Sequence, residues 1–181
     1  MTLVVRDAAA ADADACAALY APYVTGTTTS FETDPPGAAE MGRRIAEAQR
    51  GHAWLVAEDG GRLVGYAYAG PYRSRPAYRW TAEVSVYVAQ GEGGRGVGRA
   101  LYAALLERLT ARGYKTAVAA MTLPNPASAA LHAAAGFVPA GVLASVGWKH
   151  GRWHDVALLH RRLGAVPVDD PADDGPPADP S

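Results

Sequence analysis

The chain has 181 residues, 49% of them hydrophobic, and a formal net charge of −1; this is enough apolar material for one sizeable core, and the length suits one domain. Near-neutral charge gives no electrostatic footprint for a nucleic acid or a membrane surface, and Cys16 as the single cysteine excludes an internal disulfide and a cysteine metal site. No long apolar stretch follows a basic start, so neither a signal peptide nor a membrane span is expected, and the cytoplasm is the expected location.

Residues 3–6 read as a first strand and 12–24 as a helix, with Asp12 or Asp14 placed to cap it and Leu19, Tyr20 and Tyr23 as its apolar stripe. Residues 25–36 form a Thr- and Pro-rich loop whose one large apolar residue is Phe31, and a second helix is expected over 38–49. Strands at 53–58 and 63–69 flank Asp59-Gly60-Gly61, a hairpin turn whose glycines accept positive φ. Another strand follows at 81–88. The run Gly91-Glu92-Gly93-Gly94-Arg95-Gly96-Val97-Gly98 then opens into a helix over 99–112, with Leu101, Leu105 and Leu109 at four-residue spacing and Gly113 as its stop. A strand at 115–122, a short helix at 127–135 ended by Gly136, and strands at 137–146 and 153–163 complete the pattern. From 165 to the end come five Pro and five Asp with no Lys or Arg, a composition expected to be disordered. These aspartates take −5 from the total of −1 and leave the rest at +4, a mild bias toward an anionic ligand. The order β-α-α-β-β-β-α-β-α-β-β predicts an α/β chain of the α+β kind, a mixed sheet flanked by helices, with one domain over 1–164 and an acidic tail over 165–181.

The local feature with most chemistry is the strand, glycine-rich turn and helix at 84–112. Successive N–H groups at a helix N-terminus attract anions, and Arg95 and Arg99 add charge suited to a pyrophosphate. The spacing Gly93-x-x-Gly96-x-Gly98 is not the dinucleotide fingerprint, and no Gly-Lys-Ser/Thr is present. Taken alone, the turn fits a flexible surface loop as well as a phosphate cradle.

Strand 84–88, the turn Arg95-Gly96-Val97-Gly98, helix 99–112, and Leu123-Pro124-Asn125 through His132 to Gly136-Phe137 resemble the GNAT acetyltransferases. Their coenzyme loop reads Gln/Arg-x-x-Gly-x-Gly/Ala, and Gly93 departs from it in the first position. The similarity is closer to one branch, the phosphinothricin and methionine sulfone/sulfoximine N-acetyltransferases. It is carried by Phe31-Glu32-Thr33, Trp54-Leu55-Val56-Ala57-Glu58, Tyr68-Ala69-Gly70-Pro71, Ala77-Tyr78, Trp80-Thr81-Ala82-Glu83 and Lys149-His150-Gly151-x-Trp153-His154-Asp155-Val156, in order over roughly 20–160. The resemblance implies the GNAT fold with a mostly antiparallel twisted sheet. It also implies acetyl-CoA as co-substrate without a metal, a small amino-acid-like acceptor, and a homodimer.

It also implies roles. Glu83 is expected to take the proton of the attacking amine, which is largely protonated at neutral pH; by itself, a Glu in a β-rich strand is an outward-facing charge or a functional group. The backbone at Val86 and Val88 is expected to pair with the pantetheine amides, while Gly94, Arg95, Gly96, Val97, Gly98 and Arg99 hold the pyrophosphate. Asn125 is expected on the coenzyme arm, although Asn-Pro is also a turn signal. His132 stands where many members carry a Tyr that protonates the thiolate, and it reads as acid, second base or coenzyme contact. Arg73, Arg75 and Tyr78 are expected near the acidic end of the substrate, since a guanidinium fork suits two oxygens; a solvated hairpin face is the other reading, and Pro76 departs from the family. Phe31 is expected to line the substrate pocket. His154 and Asp155 make a poor metal constellation and are assigned to a structural hairpin near a dimer interface. Cys16 lies far from these motifs, which favours direct transfer in a ternary complex. The same fold acting on a protein N-terminus or lysine, and a non-enzymatic acyl-CoA sensor, are the alternatives.

Overall fold

The structure is a computed structural model that describes residues 2–164; the expected disordered tail, 165–181, lies outside the described residues. Among the described residues, seven strands form one sheet in the order β1-β2-β3-β4-β5-β7-β6. They are β1 (Leu3–Asp7), β2 (Ala53–Asp59), β3 (Arg62–Pro71), β4 (Thr81–Val88), β5 (Thr116–Thr122), β6 (Val138–Lys149) and β7 (Arg152–Arg162). Every neighbouring pair is antiparallel except β4 and β5. Helices α1 (Ala13–Gly26) and α2 (Ala38–Gly51) cover one face, α3 (Val97–Ala111) covers the other, and α4 (Pro126–Ala134) packs beside α3.

The central strands are buried on both sides, and alternation sorts their side chains. Trp54, Val56 and Tyr66 join Tyr20, Val24, Met41 and Ile45 of α1 and α2 in one core. Leu55, Ala57, Ala67 and Val84 join Leu101, Leu105 and Leu109 in the other. Those three leucines are fully buried, each contributing about 1.5–3 kcal/mol by leaving water. Packing of this stripe, rather than helix propensity, holds a helix that begins with Gly98 inside its first turn.

Turns follow glycine. Gly60 and Gly61 (φ 60° and 80°) close the β2–β3 hairpin, and His150 and Gly151 (φ 50° and 75°) close the β6–β7 hairpin; two successive positive φ values make the turn that matches strand twist. β6 and β7 run closer to this turn than their apolar content alone suggests, because a two-residue turn lets pairing continue to Lys149 opposite Arg152. Gly136 (φ 78°) ends α4. One expectation needs correction. Asp12 precedes α1 but caps nothing there: its carboxylate binds the Arg6 guanidinium at 2.7 and 2.8 Å and accepts the Ala9 N–H at 2.7 Å. The stronger charge-assisted partner wins. Among the described residues no helix is long and apolar enough to cross a membrane.

Candidate active site

Strands β4 and β5 pair over three residues only, Thr81, Ala82 and Glu83 against Thr116, Ala117 and Val118. Beyond Glu83, β4 stays with β3 as far as Val88 opposite Gly65, while β5 stays with β7 as far as Thr122 opposite Val156. The two parallel strands therefore part and leave a cleft with β4 as an open edge. The Ala89 N–H donates to the Val64 carbonyl of β3 at 2.8 Å. Successive residues turn their backbone groups to opposite edges, so Val84, Val86 and Val88 turn theirs into the cleft. Val86 presents a donor and an acceptor. Val88 presents its N–H, while its carbonyl accepts from the Tyr23 hydroxyl at 2.6 Å. An unpaired strand edge of this kind suits an extended, amide-bearing ligand.

At the end of that edge lies the glycine turn. Gly94 and Gly96 hold φ 76° and 85°, and Gly96 is the N-cap of α3. No atom lies within 4 Å of where a side chain would begin at Gly93, Gly94 or Gly96, whereas a Cβ on Gly98 would come within 2.9 Å of Leu131 Cδ2. The first-turn N–H groups of α3 lack helical partners and face a space only glycine leaves open, an arrangement suited to a phosphate. Arg99 is exposed on this turn. Arg95 is committed elsewhere: its guanidinium is paired with Glu92 and lies 3.2 Å from Asp59, and Glu92 also binds Arg62 at 2.5 Å. Arg95 therefore braces the turn to the β2–β3 hairpin instead of facing the anion space.

The cleft is lined by Thr29, Tyr102, Thr122, Asn125, Ser128 and His132. Asn125 is the N-cap of α4, with its Oδ1 accepting the Ser128 N–H at 3.0 Å, which leaves its NH₂ donors for another partner. His132 is buried, and both ring nitrogens are engaged. Nδ1 lies 2.8 Å from the Ser128 carbonyl and Nε2 lies 2.8 Å from the Tyr102 hydroxyl. A carbonyl can only accept, so Nδ1 carries the proton and Nε2 accepts from Tyr102. Burial pushes the His132 imidazole down and the Tyr102 phenol up, so both are neutral near pH 7. Tyr102 was hidden in the sequence within an apolar helix stripe; a polar-tipped side chain beside buried Leu101 was the only hint.

Glu83 sits where pairing of β4 and β5 ends. It is half-buried, and desolvation raises its carboxyl above the ordinary 4.5, with the charge of Arg73 opposing. Directly across β3 is Gly70, with nothing within 4 Å of its missing side chain. Gly70 borders a hollow of about 340 Å³ lined also by Tyr20, Arg44, Trp54, Tyr68 and Pro71. At Pro71 this adjoins a second hollow of about 430 Å³ containing Arg73, Arg75, Tyr78 and Arg79. Arg73, Arg75 and Tyr78 thus line one hollow. Phe31 stands apart from them. It is 40% exposed, with its ring against Gly147 and 6.2 Å from that of His154, on the same loop as Thr29 of the cleft. His154 Nε2 lies 3.0 Å from the Lys149 carbonyl within its hairpin. Among the described residues no group of three or more His, Cys, Asp or Glu side chains could hold a metal ion.

Residues 17–137 match the model of the Acetyltransferase (GNAT) family. The chain is 48% identical over 164 residues to a phosphinothricin N-acetyltransferase of Alcaligenes faecalis, covering 90% of this chain and 82% of that one. It is 38% identical to an L-methionine sulfoximine/L-methionine sulfone acetyltransferase of Pseudomonas paraeruginosa, covering 90% and 96%. In structure it is similar to a GNAT superfamily phosphinothricin acetyltransferase from Sinorhizobium meliloti in complex with AcCoA, with a TM-score of 0.87, 40% identity, and 91% and 90% of the two chains covered.

Proposed function

Because the chain belongs to the GNAT acetyltransferase family and is an acyltransferase with acetyl-CoA as co-substrate, we propose that it acetylates the α-amine of phosphinothricin, methionine sulfoximine, methionine sulfone or a closely similar amino acid, by direct attack in a ternary complex. The single observation that carries this reading is the position of Glu83. It has the open edge of β4 on one side, suited to a coenzyme arm, and the space over Gly70 across β3 on the other. The names of the relatives, at 48% and 38% identity, supply the substrate class.

In this reading Val86, the Val88 N–H and the Asn125 NH₂ hold the pantetheine arm, and Gly94, Gly96, Val97, Gly98 and Arg99 hold the pyrophosphate. Acetyl-CoA supplies the acyl group and a thiolate leaving group. Glu83, directly or through one water, takes a proton from the ammonium so that nitrogen can bond to the acyl carbon. A backbone N–H of the open edge faces the oxygen as charge develops there. As the carbon–sulfur bond breaks, its electron pair goes to sulfur, the Tyr102–His132 pair gives sulfur a proton, and the second proton lost by the acylated nitrogen passes through water to restore that pair. Arg73 and Arg75, in the hollow beyond Pro71, receive the acidic end of the acceptor. Thiol release from acetyl-CoA, measured with these three amino acids and with aminoglycosides, polyamines and short peptides as controls, tests the reading. Saturable turnover with the first group alone is expected, and turnover only with peptides would replace it with protein acetylation.

The same reading includes a homodimer. Val138, Val142, Leu143, Val146, Trp148 and Trp153 of the β6–β7 hairpin are 46–59% exposed, an apolar surface larger than scattered exposed residues would give. Sedimentation should find two copies together, and Trp153→Asp should shift the equilibrium toward one.

A further inference from the structure

The sheet is weakest where the site is. In strand pairing, one half, β1 to β4, joins the other, β5, β7 and β6, through only the three residues of β4 and β5. On the α1/α2 side the far hairpin reaches back across the gap. Lys149, at the end of β6, is 7% exposed, and its Nζ lies 2.6 Å from the Val24 carbonyl, 2.7 Å from that of Ser30 and 2.8 Å from that of Glu32. An ammonium has three protons to donate, and the Val24 carbonyl in the last turn of α1 and the Ser30 and Glu32 carbonyls of the α1–α2 connection accept them. A buried charge persists only where it is satisfied in this way. On its other side the connection is tied down by side chains: Tyr20 Oη lies 2.6 Å from Ser30 Oγ and 2.9 Å from Glu32 Oε1, and Arg44 binds Glu32 at 2.7 and 3.0 Å. Between these anchors stand Thr29, which lines the cleft, and Phe31, which has a slot on β6. A Cβ at Gly147 would lie 2.1 Å from Phe31 Cε2.

We propose that Lys149 is a positioning residue that fixes where Phe31 stands on the acceptor side of the site by tying the α1–α2 connection to the second half of the sheet, and that Gly147 is the seat that orients the Phe31 ring. This rests on the reading of an amine acceptor bound beside Glu83, with its side chain toward Phe31. Lys149 touches no reacting atom; it acts through the segment that carries Thr29 and Phe31. Losing the ammonium removes the tie from β6 to the Ser30 and Glu32 carbonyls, on either side of Phe31, and leaves the segment held from the Tyr20 and Arg44 side.

The test is kinetic and dynamic. Lys149→Met keeps the stem and removes the charge. It should raise KM for the acceptor about tenfold, equivalent to about 1.4 kcal/mol, leave KM for acetyl-CoA unchanged, and speed amide hydrogen exchange over 27–34 but not in α3. Gly147→Ala displaces the Phe31 ring and leaves the Lys149 hydrogen bonds in place, so it should raise the acceptor KM with little change in exchange; it decides the question should Lys149→Met not fold. A fall in kcat with both KM values unchanged would mean fewer folded molecules and would overturn the proposal, as would unchanged exchange over 27–34. The exchange measurement stands whether or not any of the amines is turned over, so failure of the substrate assignment and failure of the clamp are told apart.

Discussion

Replacing Glu83 with Gln separates catalysis from binding and from stability. The amide has nearly the shape of the carboxylate, so β4 should keep its pairing with Gly70 and Val118, and the open edge that begins at Val84 should keep its backbone donors. What is lost is the proton acceptor, a group of this kind being worth about 10²–10⁴ in rate, or about 3–5 kcal/mol of barrier. Thiol release should fall by that factor, while calorimetric affinity for acetyl-CoA should stay within about twofold, a free-energy change of under about 0.5 kcal/mol. Stability should move the other way. Glu83 is half-buried and its carboxyl titrates above 4.5 in the folded chain; the folded state therefore binds this proton more tightly than the unfolded one. The ionised side chain then destabilises the fold once the pH is above the folded value, and this penalty vanishes below 4.5. Glu83→Gln should accordingly have a higher Tm than the parent at pH 7, and the difference should close as the pH falls toward 4. Parallel losses of turnover and acetyl-CoA affinity, or a lower Tm at pH 7, would refute the reasoning.

Tyr102→Phe removes the donor to His132 Nε2. We expect kcat to fall by at least about tenfold, since a positioned proton donor contributes on the order of 10²–10⁴, and thermal unfolding to report a loss of about 1–3 kcal/mol from the unsatisfied nitrogen. Gly98→Ala sets a Cβ 2.9 Å from Leu131 Cδ2; stability should drop by about 1–3 kcal/mol, and KM for acetyl-CoA should rise while KM for the amine does not. Leu105→Ala, at a fully buried site of α3, should cost about 2–5 kcal/mol in urea unfolding with an unchanged m-value.

Local signals settled much of this protein before any contact was known. Leucine at four-residue spacing specifies the buried face of α3, because that period returns to one side of a helix. The pair Gly60-Gly61 specifies a hairpin, because few other residues adopt the positive φ of its turn cheaply. The segments from Trp80 to Glu83 and from Leu123 to Asn125 carried the family resemblance in linear order. Tertiary structure alone decided the rest, because each feature depends on residues far apart in the chain. The cleft exists because β4 and β5 each keep a different neighbour, and pairing between strands has no local code. Arg95 turns from the anion space because Glu92 and Asp59 are close enough to hold it. Tyr102 became a partner of His132 only when α3 and α4 packed together. Lys149 reads in sequence as a charged turn residue; it is buried because three carbonyls, 117 to 125 positions away, converge on its ammonium and replace the water it gave up.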